Sequence, residues 1–176
     1  MKSTGRFALI SILVLGLAAC GGPESAEGRK VDASGKVATD PETLPAEVLA
    51  VAKASQPELN VTEAEYETRD GNEYYDVGGT LPDGSELELD MTKINGVWTV
   101  VETQRDIDMA TVPDVVSETL LGKYPGWNAD RIIESDQGDG VIVYEFFGKD
   151  DAGQDTKIEV KLEGGQADLL VDEWAH

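Results

Sequence analysis

The sequence predicts an α+β fold in which a helix followed by four antiparallel strands occurs twice. Three observations carry this prediction: two segments with helical apolar spacing, eight short alternating segments bounded by turn residues, and a recurrence of the same order about 70 positions later. The chain has 176 residues, of which 40% are hydrophobic, so it can bury a core as one domain or two small ones. The net charge of −21 excludes binding of nucleic acid through a basic face.

Residues 1–19 are predicted to be a lipoprotein signal peptide. Lys2 and Arg6 precede an apolar run over 7–19, which is shorter than the roughly 20 residues that a membrane-spanning helix needs. The run ends in Leu17-Ala18-Ala19-Cys20, which resembles the lipobox of bacterial lipoproteins. That resemblance implies that Cys20 is lipidated and becomes the first mature residue. The alternative is a plain secretory signal with an incidental cysteine.

The residue after Cys20 is Gly21, whereas an Asp at that position tends to retain Gram-negative lipoproteins at the inner membrane. The resemblance therefore implies an outer-membrane lipoprotein that faces the periplasm, with a Gram-positive surface lipoprotein as the alternative. Removing residues 1–19 removes two basic residues and no acids, which leaves 157 residues with a charge of −23. Residues 20–43, the lipidated Cys and the polar segment after it, are predicted to be a flexible tether.

The first predicted unit covers 44–108. Leu44, Val48 and Ala52 have helical spacing, and Pro57 ends the helix. Strands are expected over 62–69, 73–77, 86–91 and 97–103, separated by turns that contain Gly. In the third strand the apolar residues alternate with Glu86, Glu88 and Asp90, which predicts a half-buried strand with a solvated acidic face.

The second predicted unit covers 109–176. Its helix begins at Val112-Pro113, has an apolar stripe of Val112, Val116, Leu120 and Tyr124, and ends at Pro125-Gly126. Strands are expected over 131–135, 141–147, 157–162 and 168–172. Five short matches relate the units at offsets of 68 to 71: Leu44-Pro45 with Val112-Pro113, Gln56-Pro57 with Tyr124-Pro125, Tyr75-Asp76-Val77 with Tyr144-Glu145-Phe146, Leu87 and Leu89 with Ile158 and Val160, and Val100-Val101-Glu102 with Leu170-Val171-Asp172.

Three motifs carry a family resemblance: Val112-Pro113, Tyr124-Pro125-Gly126 and Tyr144-Glu145-Phe146. Together they resemble the PepSY-like, β-lactamase-inhibitor-like family, with the first unit as a weaker copy. The resemblance implies tandem PepSY-like repeats whose sheets join into one curved sheet. Its open face would then clamp a partner protein, as in tandem inhibitors.

Catalytic signals are scarce in the sequence. His176 is the only histidine and the last residue, Cys20 is used by the lipid, and neither a G-x-S-x-G motif nor a P-loop occurs. The acid-rich turns at Asp136, Asp139 and 150–155 lack the spacing of a calcium-binding loop. The sequence therefore predicts a protein that is not an enzyme and has no cofactor and no dedicated metal site.

The remaining candidates are aromatic and apolar residues on the predicted strands. Tyr75 and Tyr144 are expected to face the helices, which places Tyr74, Val143 and Phe147 on the opposite face of the sheet. There they form a candidate surface for an envelope protein or peptide, unless they cover a core between the units. The predicted function is therefore partner binding by a non-enzymatic envelope lipoprotein. The alternative is weak binding of divalent cations to its acidic surface.

Overall fold

The computed structural model describes residues 35–150, 152–172 and 174. The predicted signal peptide, Cys20 and His176 lie outside these residues. The described chain is an α+β fold with nine antiparallel strands in one sheet, and the strands follow one another in chain order across that sheet.

The elements of the first half are β1 (Val37–Thr39), a 3-10 turn (Pro41–Thr43), α1 (Ala46–Ser55), β2 (Asn60–Arg69), β3 (Asn72–Thr80), β4 (Glu86–Ile94) and β5 (Val97–Asp106). The second half contains a 3-10 turn (Met109–Thr111), α2 (Asp114–Lys123), β6 (Ala129–Asp136), β7 (Val141–Lys149), β8 (Asp155–Glu163) and β9 (Gln166–Leu169). The order of a helix followed by four strands thus occurs twice, and α2 lies 68 positions after α1 with the same length.

Both helices begin directly after a proline, Pro45 or Pro113, whose missing N–H is not needed in the first turn. Each has an acidic residue in its first turn and a lysine in its last turn, which complements the helix dipole. Tyr124, expected on the buried stripe of α2, follows the last helical residue and is exposed. It packs instead against Trp127, with ring centroids 6.1 Å apart.

The two helices and the apolar strand residues form two core clusters. Val48 and Ala52 of α1 are fully buried in a cluster with Val77, Leu89 and Met91. In the second half, α2 packs on a cluster that contains Tyr144, Phe146 and Val160. Because side chains alternate along a strand, the residues between these positions lie on the other side of the sheet. We call the two sides the helix face and the helix-free face.

The structure differs from the sequence-based expectations at β1 and in the register that relates the two halves. Residues 37–43, assigned to the tether, include β1, which pairs with β2 through Val37 and Tyr66. In addition, Val77 pairs with Leu89 and Phe146 pairs with Ile158, so the third strands of the two halves correspond at an offset of 69 instead of 71. The turns of the two halves can differ in length, so the sequence alone does not determine which residues of the two third strands are equivalent. The hydrogen-bonded pairing with the neighbouring strand does determine it.

The last strand is also shorter than predicted. The sequence places it over 168–172, but β9 ends at Leu169. The Leu170 N–H still bonds to the Glu159 carbonyl, and the chain then leaves the sheet edge. The Trp174 N–H donates to Glu159 Oε2 at 2.7 Å, so the end of the described chain lies against the helix-free face.

Candidate functional site

Four carboxylates lie side by side on the helix-free face of the first half. Glu65 on β2 pairs with Asp76 on β3, Asp76 pairs with Asp90 on β4, and Asp90 pairs with Glu102 on β5. We call these four residues the carboxylate row. Like charges directly opposite each other on neighbouring strands destabilise a sheet. The row therefore lowers the stability of the sheet unless a positively charged group lies close to it.

The carboxylate row is also shielded from water. Asp76 and Asp90 are each 8% exposed and Glu102 is 3% exposed. A fifth acid, Glu88, lies two residues before Asp90 on the same face and is 7% exposed. The sequence predicted a solvated acidic face for Glu88 and Asp90, and this prediction is wrong. Neighbouring strands on both sides of β4 cover them, which the alternation along a single strand does not reveal.

The two oxygens of Asp90 differ in their surroundings. Gln104 Nε2 donates to Asp90 Oδ2 at 3.2 Å. Asp90 Oδ1 is buried and has no hydrogen-bond partner among the described residues. Buried carboxylate oxygens are nearly always satisfied, so an orphaned one indicates a position that a further group can occupy.

Positive charge reaches the row from the segment before β1. Lys36 Nζ lies 2.5 Å from Asp76 Oδ2, and the Lys36 side chain is 26% exposed to solvent. Burial opposes the charge on Lys36, but attraction to Asp76, Asp90 and Glu88 outweighs it and raises the pKa of Lys36.

Lys36 offsets only part of the repulsion within the cluster. Burial raises the pKa of Glu88 to about 8, with Asp76 adding to the shift and Lys36 opposing it. Burial also raises the pKa of Asp90 well above its usual value, and the charges of Asp76, Glu88 and Glu102 add to this. Both carboxyl groups therefore hold their protons more tightly than ordinary acids do.

The arrangement can hold a cation. Asp76, Glu88 and Asp90 each offer one carboxylate oxygen, and these atoms all lie within 4.8 Å of one another. Carboxylate oxygens are the donors that hard divalent cations such as calcium and magnesium prefer. The sequence predicted no dedicated metal site, whereas these three residues form a candidate one.

The second half neutralises its acids differently. Glu145 and Glu159 are directly opposite on β7 and β8, and Lys157 bridges them at 3.5 and 2.7 Å. The Trp174 N–H bonds to the same Glu159, and the Trp174 indole donates to Gln137 Oε1 at 3.0 Å. This acid pair therefore has its own lysine and a covering segment of the chain.

The predicted partner-binding residues do lie on the helix-free face, but they do not form one exposed patch. Val143 is fully buried, so a partner on the surface cannot contact it. Tyr74 is half-buried beneath Arg69, whose Cζ is 4.6 Å from the ring centroid. Phe147, also half-buried, lies 5.9 Å from Lys157 Nζ and belongs to the other half of the sheet.

The carboxylates of the acid-rich turns bond to the backbone of their own turns. Asp136 Oδ1 and Asp139 Oδ1 accept backbone N–H groups two residues onward. Asp150 Oδ1 accepts the Ala152 N–H two residues onward and the Gln154 N–H four residues onward. Their carboxylates are therefore engaged in turn formation.

A shallow depression of about 520 Å³ lies away from the row, between the end of α1 and the β3–β4 turn. Its lining includes Glu58 and Asp83, and the Asp83 carboxylate already accepts from the Ser85 N–H and hydroxyl. The depression thus brings no set of polar groups together for a reaction.

Alternation along each strand shows which face of the sheet an acid lies on, but not which residues lie beside it. The carboxylate row could have been found from the sequence only if the register between neighbouring strands had also been known. Glu88 and Asp90 have the parity opposite to Leu89, and Asp76 has the parity opposite to Val77. Had the pairing of Val77 with Leu89 been known, Asp76 and Asp90 would have been placed side by side. Glu65 and Glu102 would have followed from the next two pairings.

Comparison with known proteins gives little further information. No family model and no curated protein matches the chain. One solved structure, a proposed periplasmic protein of the DUF2874 family from Bacteroides vulgatus, is 22% identical over 78% of this chain and 96% of that chain. Its TM-score is 0.30, a value that supports no inference about function. Within the described residues, no helix has the length and hydrophobicity to cross a membrane.

Proposed function

We propose that this protein is a non-enzymatic lipoprotein of the bacterial cell envelope that binds a basic segment of a protein or peptide on its helix-free face. In this proposal, lipid on Cys20 anchors it in the outer membrane facing the periplasm. The two halves are tandem PepSY-like units joined as in the β-lactamase-inhibitor-like proteins. The lipobox and the twofold order of helix and strands support these parts of the proposal.

The carboxylate row is the observation that carries the proposal. Four acids directly opposite one another on β2 to β5 destabilise the sheet through like-charge repulsion. A positively charged ligand would relieve this repulsion. The row therefore favours a basic ligand over a neutral or acidic one.

Lys36 shows which kind of group the row accepts. It lies just before β1, a short extended segment that adds to the edge of β2, and its ammonium contacts Asp76. A basic side chain of a partner would meet Asp90 Oδ1, which has no hydrogen-bond partner among the described residues. Tyr74, half-buried on the same face, would supply apolar contact beside the row.

The test is site-specific crosslinking in cells. A photo-crosslinking residue at Tyr74 should capture a partner, and the same residue at Glu118, which is exposed on α2, should not. Combining the Tyr74 crosslinker with Glu88→Gln and Asp90→Asn should abolish the product. Equal capture from both positions, or capture that survives neutralisation of the acids, would contradict the proposal.

A second candidate function is binding of divalent cations. The convergence of three buried carboxylate oxygens favours it specifically.

A further inference from the structure

The geometry of three side chains is the first observation that favours a site for a divalent cation. The carboxylate oxygens of Asp76, Glu88 and Asp90 lie within 4.8 Å of one another. Calcium binds oxygen at about 2.3–2.6 Å, so two of its ligands can be separated by up to roughly 5 Å. One ion can therefore contact all three oxygens after small side-chain adjustments and without a rearrangement of the strands.

The second observation is independent of the acidic character of the cluster. Asp90 is more than nine-tenths buried, and its Oδ1 has no hydrogen-bond partner among residues 35–150, 152–172 and 174. Strands β3 and β5 flank β4, so Asp90 lies in the interior of the sheet and not at its edge. A bound cation would give this oxygen the partner that it otherwise lacks.

The third observation is the contrast with the other half of the sheet. There the pair Glu145 and Glu159 is bridged by Lys157, a residue within β8 itself. In the first half, the lysine comes from outside the strands that carry the acids. Lys36 precedes a three-residue edge strand, so it can withdraw with little disturbance of the core.

The donor set favours calcium over magnesium. Magnesium requires oxygens at about 2.0–2.1 Å in near-ideal octahedral geometry, whereas calcium tolerates longer and irregular arrangements. Gln104 lies beside the cluster, and a rotation of its amide group would present a carbonyl oxygen to the ion. Carboxylate and amide oxygens are typical calcium ligands.

From these observations, we propose that Asp76, Glu88 and Asp90 bind one divalent cation of the calcium type, and that Lys36 is an internal counter-ion that the cation displaces from Asp76. The proposal goes beyond the proposed partner and does not depend on it. Cation and lysine compete for the same carboxylate, so each weakens the binding of the other.

The experiment uses the mature chain from residue 20 with Cys20→Ser, so that no lipid is attached. Calorimetry with CaCl₂ should show one saturable site in the affinity range of extracellular calcium modules, about 10⁻⁴–10⁻³ M. MgCl₂ should bind more weakly. Asp90→Asn should reduce calcium affinity at least tenfold, since it removes a charged ligand. Lys36→Gln should instead increase the affinity, which a purely structural role of Lys36 does not predict.

Glu145→Gln is the matched control, because it removes a largely buried acid from the second half of the same face. It should leave calcium affinity unchanged, and circular dichroism should show that each variant is folded. The proposal is overturned if neither the wild type nor Lys36→Gln binds calcium at concentrations of about 10 mM. Equal losses of affinity in Asp90→Asn and Glu145→Gln would also overturn it, since they would indicate diffuse attraction to an acidic surface. The calorimetric experiment uses purified protein without a partner. A failure to crosslink a partner in cells therefore does not contradict the cation site, and a failure to bind calcium does not contradict the proposed partner.

Discussion

Asp76 and Asp90 lie directly opposite each other on neighbouring central strands, with both carboxylates on the helix-free face. Each is 8% exposed, so water screens their repulsion poorly. A sheet built only for stability would place an apolar or oppositely charged pair at this position. The pair is therefore the feature on which both the proposed basic partner and the proposed cation site rest.

Asp90→Asn should stabilise the cation-free protein at pH 8 by clearly more than the roughly 0.5 kcal/mol of a typical exposed substitution, because it removes a buried acid whose pKa burial raises. At pH 4 the gain should nearly vanish, since the Asp90 carboxyl of the folded wild type is then protonated and uncharged, as the amide of the variant is. Urea unfolding in the presence of a chelator measures both values. Glu118→Gln, at an exposed position on α2, is the control and should change stability by less than about 0.5 kcal/mol. A loss of stability at pH 8 would contradict the prediction.

Stability of the cation-free protein should fall as the pH rises. The pKa of Glu88 is about 8 in the folded protein against 4.5 for an unperturbed Glu, so the folded state binds the proton more tightly. The stabilisation from this proton is fully present below pH 4.5 and is lost as the pH rises to 8. Asp76, Lys36, Glu63 and Glu65 are the charged groups that act on Glu88, after burial itself.

Thermal unfolding at a series of pH values tests this dependence, with Glu88→Gln as the comparison. The variant should show a flatter profile between pH 5 and 8. Parallel profiles for the two proteins would assign the pH dependence to other groups.

A hydrogen bond between the helix and the sheet should contribute to the stability of the first half. Trp98 Nε1 on β5 donates to Glu47 Oε1 in the first turn of α1 at 2.9 Å. Trp98→Phe removes this bond while keeping an aromatic ring against Tyr75. Trp127 is the matched control, because its buried indole nitrogen has no hydrogen-bond partner among the described residues.

We therefore expect Trp98→Phe to cost about 1 kcal/mol beyond the loss caused by the smaller ring in Trp127→Phe. A double-mutant cycle of Trp98→Phe with Glu47→Ala, followed by urea unfolding, isolates the bond. A coupling energy near zero would show that the hydrogen bond adds nothing to stability.

Two glycines should respond to alanine in opposite directions. A Cβ at Gly79 on β3 would lie 2.2 Å from the Asn60 carbonyl oxygen, so Gly79→Ala must push β2 and β3 apart and should destabilise the protein by several kcal/mol. Gly122 lies within α2 with open space around its Cβ position. Gly122→Ala should stabilise the protein by about 0.5–1 kcal/mol through helix propensity. Melting temperatures of both variants check the prediction, and a stable Gly79→Ala protein would contradict it.

Local patterns were enough to predict most of the secondary structure. Pro45 and Pro113 indicate where the helices begin, and the alternation of Leu87, Leu89 and Met91 with acids predicts β4 and its two faces. The short strand β1 was not predicted, because three residues without a clear alternation carry no periodic signal. Its position depends on pairing with β2, which is a tertiary contact.

The candidate site was harder to predict for a related reason. An acid on an alternating strand looks solvated when each strand is considered alone. Burial of Glu88 and Asp90 follows from the strands that lie on either side of β4. Val143 illustrates the converse error, since an apolar residue on the helix-free face was expected to be exposed and is fully buried.

The two edges of the sheet are formed by its shortest strands, β1 with three residues and β9 with four. Each covers a longer strand, and β2 behind β1 has ten residues. Short edges offer few free backbone groups to a neighbouring molecule, which protects a sheet protein from edge-to-edge aggregation. A recombinant domain that begins after Thr39 would uncover the part of β2 from Ala64 to Tyr66 that β1 pairs with. Such a protein would become prone to self-association at high concentration, even though its hydrophobic cores are intact.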